Sequence, residues 1–271
     1  RSCDNDIRIV IDKTDGDHDT AFVTRILKPG TDEYRQPDAQ RAIKAEVEKF
    51  VYKNHVIKIQ EPRSWSKDVK WTVAEATKVK NKLQCAIKHE ERPGEEAFKA
   101  RTYLQGCLQF NTNDRLVKLD RTTESFVIDP MRHEEIRAMD AWCYHKYGSK
   151  GDSTMGDQES AYLKTKLRGP EVFTHMTQEI YQHLHAEDRK RIDTFMRKHK
   201  VDFNDVVFQV EGAGYGLERA GFDHDHHRTD QLKTIGFELI PGRRSIYKAP
   251  LLGYEWMLGA FIDDMRRNGI R

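Results

Sequence analysis

Two adjacent carboxylates, Asp263 and Asp264, end an apolar run near the C-terminus of this 271-residue chain. The run, residues 254–262, has the length and composition of a buried strand. Neighbouring strand residues face opposite ways, so both acids share a small volume only if the backbone bends there, as in a tight hairpin. Two carboxylates held together repel each other unless a cation lies between them. The pattern therefore indicates a metal site, and a strand that runs into a polar turn is the alternative.

A third acid, Asp157, precedes a short Ser-Ala-Tyr-Leu run at 160–163. Between it and the acid pair lies the segment Gly214-Tyr-Gly-Leu-Glu-Arg-Ala220. In order and spacing, these three segments resemble the palm motifs of reverse transcriptases from copia-like LTR retrotransposons. Two further segments are similar to that family: 169–173 and 230–237. The resemblance covers most of residues 35–271.

The resemblance implies an RNA-directed DNA polymerase, which is a nucleotidyltransferase that adds deoxynucleotides to a primer 3′ end. Such enzymes use two Mg²⁺ ions, about 3.5–4 Å apart, to activate the attacking oxygen and to stabilise the leaving one. Mn²⁺ is an alternative ion, and carboxylates are the ligands that such hard cations need. By the family motifs, Asp157 and Asp263 are catalytic residues that bind both ions. Asp264 is a weaker ligand that binds one ion, or it contacts the other ligands without binding an ion itself.

Five other positions match the family's contacts with the nucleotide. Tyr162 corresponds to the aromatic residue that excludes a ribose 2′-hydroxyl, while Gly216 lets the backbone approach the base pair and Tyr215 flanks that approach. Lys99 and Arg101 match basic residues of a finger strand that contact the triphosphate. The alternatives are a packed strand aromatic for Tyr162 and a solvated strand edge for the two basic residues.

The partners implied are an RNA or DNA template with its primer, deoxynucleoside triphosphates, and the remainder of a retroelement polyprotein or a larger assembly. The basic segment 189–200 either follows a template or primer backbone or forms a solvated helix face. A second function is a retroelement-derived domain that has lost polymerisation and serves as a structural or RNA-binding component. The chain stops seven residues after Asp264, so we expect it to contain no thumb, connection segment or RNase H domain.

Several features depart from the family or suggest other chemistry. Phe261 stands where the family usually has Tyr, Arg219 replaces the usual Gln, and Gly221 replaces the usual Pro, so we expect a looser helix start after the glycine motif.

The cluster at 224–227 contains three histidines, but neighbouring helix residues point about 100° apart, so three zinc ligands do not emerge and a zinc hydrolase is a remote alternative. Residues 14–19 are similar to a calcium loop without its Glu, and we expect a turn.

The resemblance implies a fold of the α+β class, which would position these residues. We expect the polymerase right-hand fold, with fingers, a palm whose antiparallel sheet is backed by helices, and no thumb. The expected regions are an arm at 1–35, a fingers-like region at 36–128, and a palm-like region at 129–271 with room for fingers insertions within 164–214. The predicted elements are helices at 38–54, 129–144 and 187–200, a strand at 55–59, a β-ribbon within 68–109, and a loop at 148–154 before the strand of Asp157.

The composition limits the function classes further. The chain is 37% hydrophobic and 33% charged, with a net charge of only +2, so local basic clusters must carry any affinity for nucleic acid. Its four cysteines form no Cys-x-x-Cys pair, which argues against a zinc module or a disulfide scaffold. We expect a reducing intracellular compartment, cytoplasmic or nuclear. No apolar segment approaches the roughly 20 residues that span a bilayer, so we expect no membrane partner.

Overall fold

A computed structural model describes residues 7–11, 21–67, 76–90, 94, 96–110, 116–117, 130–243, 245–261 and 264–270. The predicted turn at 14–19 and the catalytic candidate Asp263 lie outside these residues. The described elements mix sheets and helices, and the predicted α+β class is therefore confirmed.

The strands of the described residues are β1 (Ile7–Ile11), β2 (Ala21–Ile26), β3 (Arg63–Ser64), β4 (Thr77–Lys88), β5 (Ala97–Phe110), β6 (Leu116–Val117), β7 (Gly151–Asp157), β8 (Val172–His175), β9 (Val206–Val210), β10 (Glu238–Leu239), β11 (Ile246–Leu251), β12 (Tyr254–Phe261) and β13 (Asp264–Ile270). The α-helices are α1 (Asp32–Arg35), α2 (Pro37–Val47), α3 (His133–Tyr147), α4 (Gln178–Gln182), α5 (Ala186–His199) and α6 (Ala220–Thr234). A π-helix covers Glu48–Lys53, and 3₁₀ turns cover Gly148–Lys150 and Phe203–Asp205.

The chain divides into two compact units, of which the first comprises residues 1–117 and 170–216. Its sheet runs in the order β1-β2-β4-β8-β9-β3, with β5 paired to β4 and β6 paired to β5. The long β4–β5 ribbon confirms the β-ribbon predicted within 68–109. The sheet pairs are antiparallel except for β4 with β8.

Helix α2 packs against β5 because its apolar residues recur at helical spacing. Ala39, Ile43 and Val47 are fully buried, and the π-helix continues this buried stripe with Phe50 and Val51. Pro37 occupies the first turn, where its missing N–H leaves no intrahelical hydrogen bond unmade, so the helix starts one residue before the predicted Asp38.

The second unit comprises residues 118–169 and 217–271. Its sheet has the order β10-β11-β12-β13-β7, and every described pair in it is antiparallel. One cluster packs Met139 of α3 with Ile246 of β11, and another packs Leu232 of α6 with Tyr247 of the same strand. Since successive strand residues face opposite sides, α3 and α6 cover opposite faces of this sheet. The packing of the helix predicted at 129–144 against a sheet is thereby confirmed.

Two predicted elements are wrong. Residues 55–59 form no strand, because His55 adopts a left-handed φ of 49° and only Ile57 makes an isolated bridge, to Val210. Residues 148–154 are not a loop throughout, since a 3₁₀ turn ends at Lys150 and β7 begins at Gly151. Pairing with β13 along the whole of β7 overrides the low strand propensity of Gly, Asp and Ser there.

The predicted helix at 187–200 is α5, with Lys200 as its left-handed C-cap residue. Among the described residues, no helix is both long enough and apolar enough to cross a membrane.

Candidate functional site

Two of the three predicted metal ligands lie on neighbouring strands of the second unit. Asp157 is the last residue of β7 and Asp264 is the first residue of β13, and the two are direct partners in the antiparallel ladder. Residues that face each other in this way point to the same side of the sheet, with Cβ atoms about 4.5–5.5 Å apart. Asp157 is exposed and Asp264 is half-buried, so the pair is open to solvent.

The second strand of this pair belongs to a hairpin. Phe261 of β12 is the ladder partner of Asp264, which leaves a two-residue connection between the strands. The tight hairpin expected at the acid pair is therefore confirmed. Asp263 lies within this connection and outside the described residues, so its position relative to Asp157 stays a prediction.

The donor set at this edge suits a hard divalent cation. Carboxylate oxygens are the ligands that Mg²⁺ and Mn²⁺ prefer, and two carboxylates face each other here. Among the described residues, no three His, Cys, Asp or Glu side chains form a metal-ligand group. Asp157 and Asp264 are placed so that they could supply two oxygen donors, and the role of Asp263 as a third donor stays a prediction.

A polar network fixes the two acid-bearing strands against α3. Asp140 of α3 accepts hydrogen bonds from Arg266 Nη2 at 2.9 Å, Asn268 Nδ2 at 2.7 Å and Ser153 Oγ at 2.8 Å. Burial alone raises the pKa of Asp140, but the hydrogen bonds from Asn268, Ser153 and Arg266 outweigh it and hold the pKa below its usual value. Arg266, two residues from Asp264 on the same face, is thereby paired with Asp140.

Tyr162 lies in a tight turn that follows β7. Ser160 in this turn is buried and has a φ of 60°, a left-handed conformation that non-glycine residues rarely adopt. Tyr162 is half-buried, and its ring centroid lies 5.2 Å from that of His224 on α6. His224 is 2% exposed, and its Nδ1 lies 3.1 Å from Thr165 Oγ1.

The start of α6 is held by an ion pair that the family's usual residue could not make. Arg219 donates two hydrogen bonds to Asp223, from Nε at 2.9 Å and from Nη2 at 3.2 Å. Asp223 is completely buried and also accepts the backbone N–H of Arg168 at 3.1 Å. The guanidinium of Arg219 lies against Gly169, where a Cβ would collide with it. The helix start is therefore well anchored, and the predicted looseness is wrong.

The histidine cluster has no zinc-like arrangement. Asp223, just before the cluster, is bound by Arg219, and His224 contacts Thr165 and Tyr162. His226 is exposed and packs its ring on Phe222, with centroids 4.4 Å apart. Among the residues that the structure describes, these groups do not converge on one point suitable for an ion.

The basic candidates Lys99 and Arg101 lie on β5 in the first unit, two residues apart and therefore on one face. Burial lowers the pKa of Lys99, and the nearby charges of Lys88, Arg101 and Lys49 lower it further. The nearby carboxylate of Glu46 partly offsets the effect of these three cations on Lys99, and a bound anion would offset it further. We call Lys49, Lys88, Lys99 and Arg101 the basic cluster.

Tyr215 and Gly216 also lie in the first unit, against β5. The guanidinium carbon of Arg101 is 5.7 Å from the Tyr215 ring centroid, and Leu104 donates its N–H to the Tyr215 carbonyl at 2.7 Å. Gly216 has a φ of 90°, and a Cβ there would collide with the Leu104 carbonyl oxygen. A contact within the protein thus already requires glycine at 216, independently of any substrate.

The predicted site residues fall into two sets. Asp157, Asp264 and Tyr162 belong to the second unit, and the remaining set belongs to the first: Lys99, Arg101, Tyr215 and Gly216. The predicted boundary between the two regions lies after residue 128. In the structure the chain leaves the first unit after residue 117 and returns to it for residues 170–216.

Sequence reasoning missed three groups beside the predicted ones. Glu46 is buried on the apolar face of α2, where it accepts the Thr102 N–H at 2.7 Å. The sequence indicates this burial through spacing, because Glu46 follows Ile43 by three residues and so lies on the buried face of the helix. His224 was noticed only as a metal candidate, and Asp140 carried no signal because its partners are distant in sequence.

No family model matches the chain, and no curated protein or solved structure is significantly similar to it.

Proposed function

We propose that the chain is the fingers and palm of an RNA-directed DNA polymerase of the copia-like retrotransposon class. The single observation that supports this most is the facing pair Asp157 and Asp264 on adjacent strands. The motif order predicts that these two acids, far apart in sequence, share one site. A polar turn without function gives no reason for two carboxylates to face each other.

In this proposal the second unit is the palm of a right-hand polymerase. Its antiparallel sheet carries the acids at the β12–β13 hairpin and at the end of β7, and its helices α3 and α6 cover the two faces of the sheet. The first unit, with the β4–β5 ribbon, is the fingers.

The reaction is attack of a primer 3′-hydroxyl on the α-phosphate of a deoxynucleoside triphosphate, with pyrophosphate as the leaving group. Asp157, Asp263 and Asp264 would hold two Mg²⁺ ions, and such ions would lower the pKa of the attacking hydroxyl and stabilise charge on the leaving oxygen. The carboxylates themselves would fix the position of the reacting groups, because the strands that carry them are rigid and keep their oxygen atoms in place.

By the family resemblance, Lys99 and Arg101 of the first unit would contact the triphosphate. A triphosphate carries several negative charges, and Lys or Arg side chains form charge-assisted hydrogen bonds to phosphate oxygens. A bound anion would raise the pKa of Lys99, which burial and the surrounding cations lower. Tyr162 selects the sugar by leaving no room for a 2′-hydroxyl.

The test is incorporation of one deoxynucleotide on a primed RNA template with Mg²⁺. Asp157→Asn, Asp263→Asn and Asp264→Asn should each reduce the rate about 100-fold or more, because each removes charge that organises the transition state. Asp152→Asn is the matched control, because Asp152 lies on the same strand without facing Asp264. Its Oδ2 lies 3.6 Å from Arg267 Nη2. Full activity in Asp157→Asn would overturn the proposal. Binding of primer and template without incorporation by the unsubstituted chain would favour the domain that has lost polymerisation.

A further inference from the structure

Tyr162 follows an unusual backbone turn rather than a regular strand. The N–H of Ala161 donates to the backbone carbonyl of Gln158 at 3.2 Å, and the N–H of Thr165 donates to the backbone carbonyl of Tyr162 at 3.0 Å. Ser160 in the same turn has a φ of 60°. A non-glycine residue persists in this conformation only where the surrounding structure requires it. The turn therefore fixes the backbone of Tyr162, but it leaves the ring direction to other contacts.

The ring of Tyr162 meets His224 on α6. The two ring centroids are 5.2 Å apart at an interplanar angle of 51°, which is a tilted aromatic contact. His224 is 2% exposed, so it has little freedom to move away. One side of the tyrosine ring is therefore packed, while the residue as a whole is only half-buried.

The orientation of His224 is itself set by Thr165. Thr165 Oγ1 donates to the Ala161 carbonyl at 3.2 Å and lies 3.1 Å from His224 Nδ1. Since both Ala161 and Thr165 belong to the turn that carries Tyr162, the imidazole is tied to the turn by a hydrogen bond. The result is a closed set of contacts, Thr165 to His224 to Tyr162.

We propose that His224 is a positioning residue that sets sugar selectivity by holding the Tyr162 ring in place. This inference rests on the proposed function, because it assigns a supporting residue to the tyrosine that faces the nucleotide sugar. A ring that can tilt away leaves room for a 2′-hydroxyl, whereas a ring packed on a buried imidazole does not. The contact acts on which nucleotide is accepted, and not on the metal ligands.

The experiment measures kcat and KM for one deoxynucleotide and for the matching ribonucleotide. His224→Ala should reduce the preference for the deoxynucleotide about tenfold, the scale on which a small change of pocket shape discriminates between substrates. The change should appear as a lower KM for the ribonucleotide, with kcat for the deoxynucleotide little changed. His224→Phe should restore most of the preference, because it keeps a ring against Tyr162. His226→Ala is the matched control, since His226 is exposed on the same helix and packs on Phe222.

A double substitution separates positioning from general loosening of the fold. In a Tyr162→Ala background, which has lost the ring, His224→Ala should change selectivity no further. Thr165→Val should reproduce part of the His224→Ala effect, because it keeps the shape of the side chain but loses its hydroxyl. Thermal unfolding of each variant shows that it is folded before its kinetics are measured.

The outcomes are distinguishable. Failure of the unsubstituted chain to incorporate any nucleotide overturns the proposed function, and the sugar-selecting role of His224 falls with it. Incorporation by the unsubstituted chain with unchanged selectivity in His224→Ala overturns this inference alone. An additive effect of His224→Ala in the Tyr162→Ala background also overturns it, because the histidine then acts without the tyrosine.

Discussion

Asp157 and Asp264 face each other across the β7–β13 ladder, and neither is covered by the core. Like charges directly opposite each other on a sheet are destabilising, so the sheet tolerates a cost at its open edge. On the proposed function, a divalent cation bound between the carboxylates would remove this cost, and metal binding would then stabilise the second unit.

Mg²⁺ should stabilise the protein through this pair. Binding to the folded state alone raises the thermal midpoint of unfolding as the ion concentration increases. In Asp157→Asn or Asp264→Asn this increase should disappear, and the midpoint without Mg²⁺ should rise by about 1–3 °C because the repulsion is lost. Scanning calorimetry with and without Mg²⁺ measures both effects.

Asp152→Asn serves as the control, because this residue pairs with Gly269 at the other end of β7. It should keep the response to Mg²⁺. An unchanged Mg²⁺ response in both Asp157→Asn and Asp264→Asn would show that the ion binds elsewhere.

The sequence predicted the local elements of this site better than their surroundings. The hairpin at Asp264 follows from an apolar run that ends in two acids, and helix α3 follows from its periodicity. The pairing of β7 with β13 could not come from periodicity, because it joins distant segments and β7 is rich in Gly, Asp and Ser. Only the order of the motifs suggested that Asp157 and Asp264 share a site.

Compensating contacts were also beyond the sequence. Arg219 looks like a weakness where the family has Gln, until the structure shows Asp223 buried beneath it. Gly216 fits a substrate contact on the motif alone, whereas the structure provides the Leu104 carbonyl as a sufficient reason for glycine. Both cases depend on a neighbour brought close by the fold, and local propensity contains no information about it.

Glu46 should make stability depend on pH. Burial raises the pKa of its carboxyl above the ordinary value of 4.5, despite the hydrogen bond from Thr102. The unfolded chain therefore loses this proton at lower pH than the folded protein does. The stability that protonated Glu46 provides is present below the unfolded pKa and is lost as pH rises through the folded pKa.

Glu46→Gln removes this titration and keeps an oxygen that accepts the Thr102 N–H. Relative to the unsubstituted protein, the variant should gain in unfolding free energy as pH rises from about 4 to about 7. Urea unfolding at both pH values measures the difference. Glu61→Gln, at an exposed position, should show no such trend. A Glu46→Gln curve parallel to that of the unsubstituted protein would exclude a raised pKa at this site.

Gly216→Ala should destabilise the first unit whether or not nucleotide is present. The substitution places a Cβ against the Leu104 carbonyl at a φ of 90°, and strain together with overpacking costs about 3 kcal/mol. Gly30→Ala separates the two effects, since Gly30 has a φ of 88° but open space around it, and it should cost less. Equal unfolding free energies for the two variants would show that the collision with Leu104 is relieved by a backbone shift.

Arg219→Gln, which introduces the residue usual in the copia-like family, should destabilise the second unit instead of improving it. The substitution leaves the Asp223 carboxylate buried without the guanidinium that now binds it, and breaking a buried pair in this way costs about 3–5 kcal/mol. The loss should appear as a lower urea midpoint with an unchanged slope.

Adding Asp223→Ala should recover part of the lost stability, because the uncompensated charge is then gone, although the N–H of Arg168 also loses its acceptor. Arg168→Gln is the matched control: this exposed residue pairs with Asp230 through its side chain, and the substitution should cost less than about 1 kcal/mol. A double variant no more stable than Arg219→Gln alone would mean that contact with Gly169, and not the pairing with Asp223, is what Arg219 contributes.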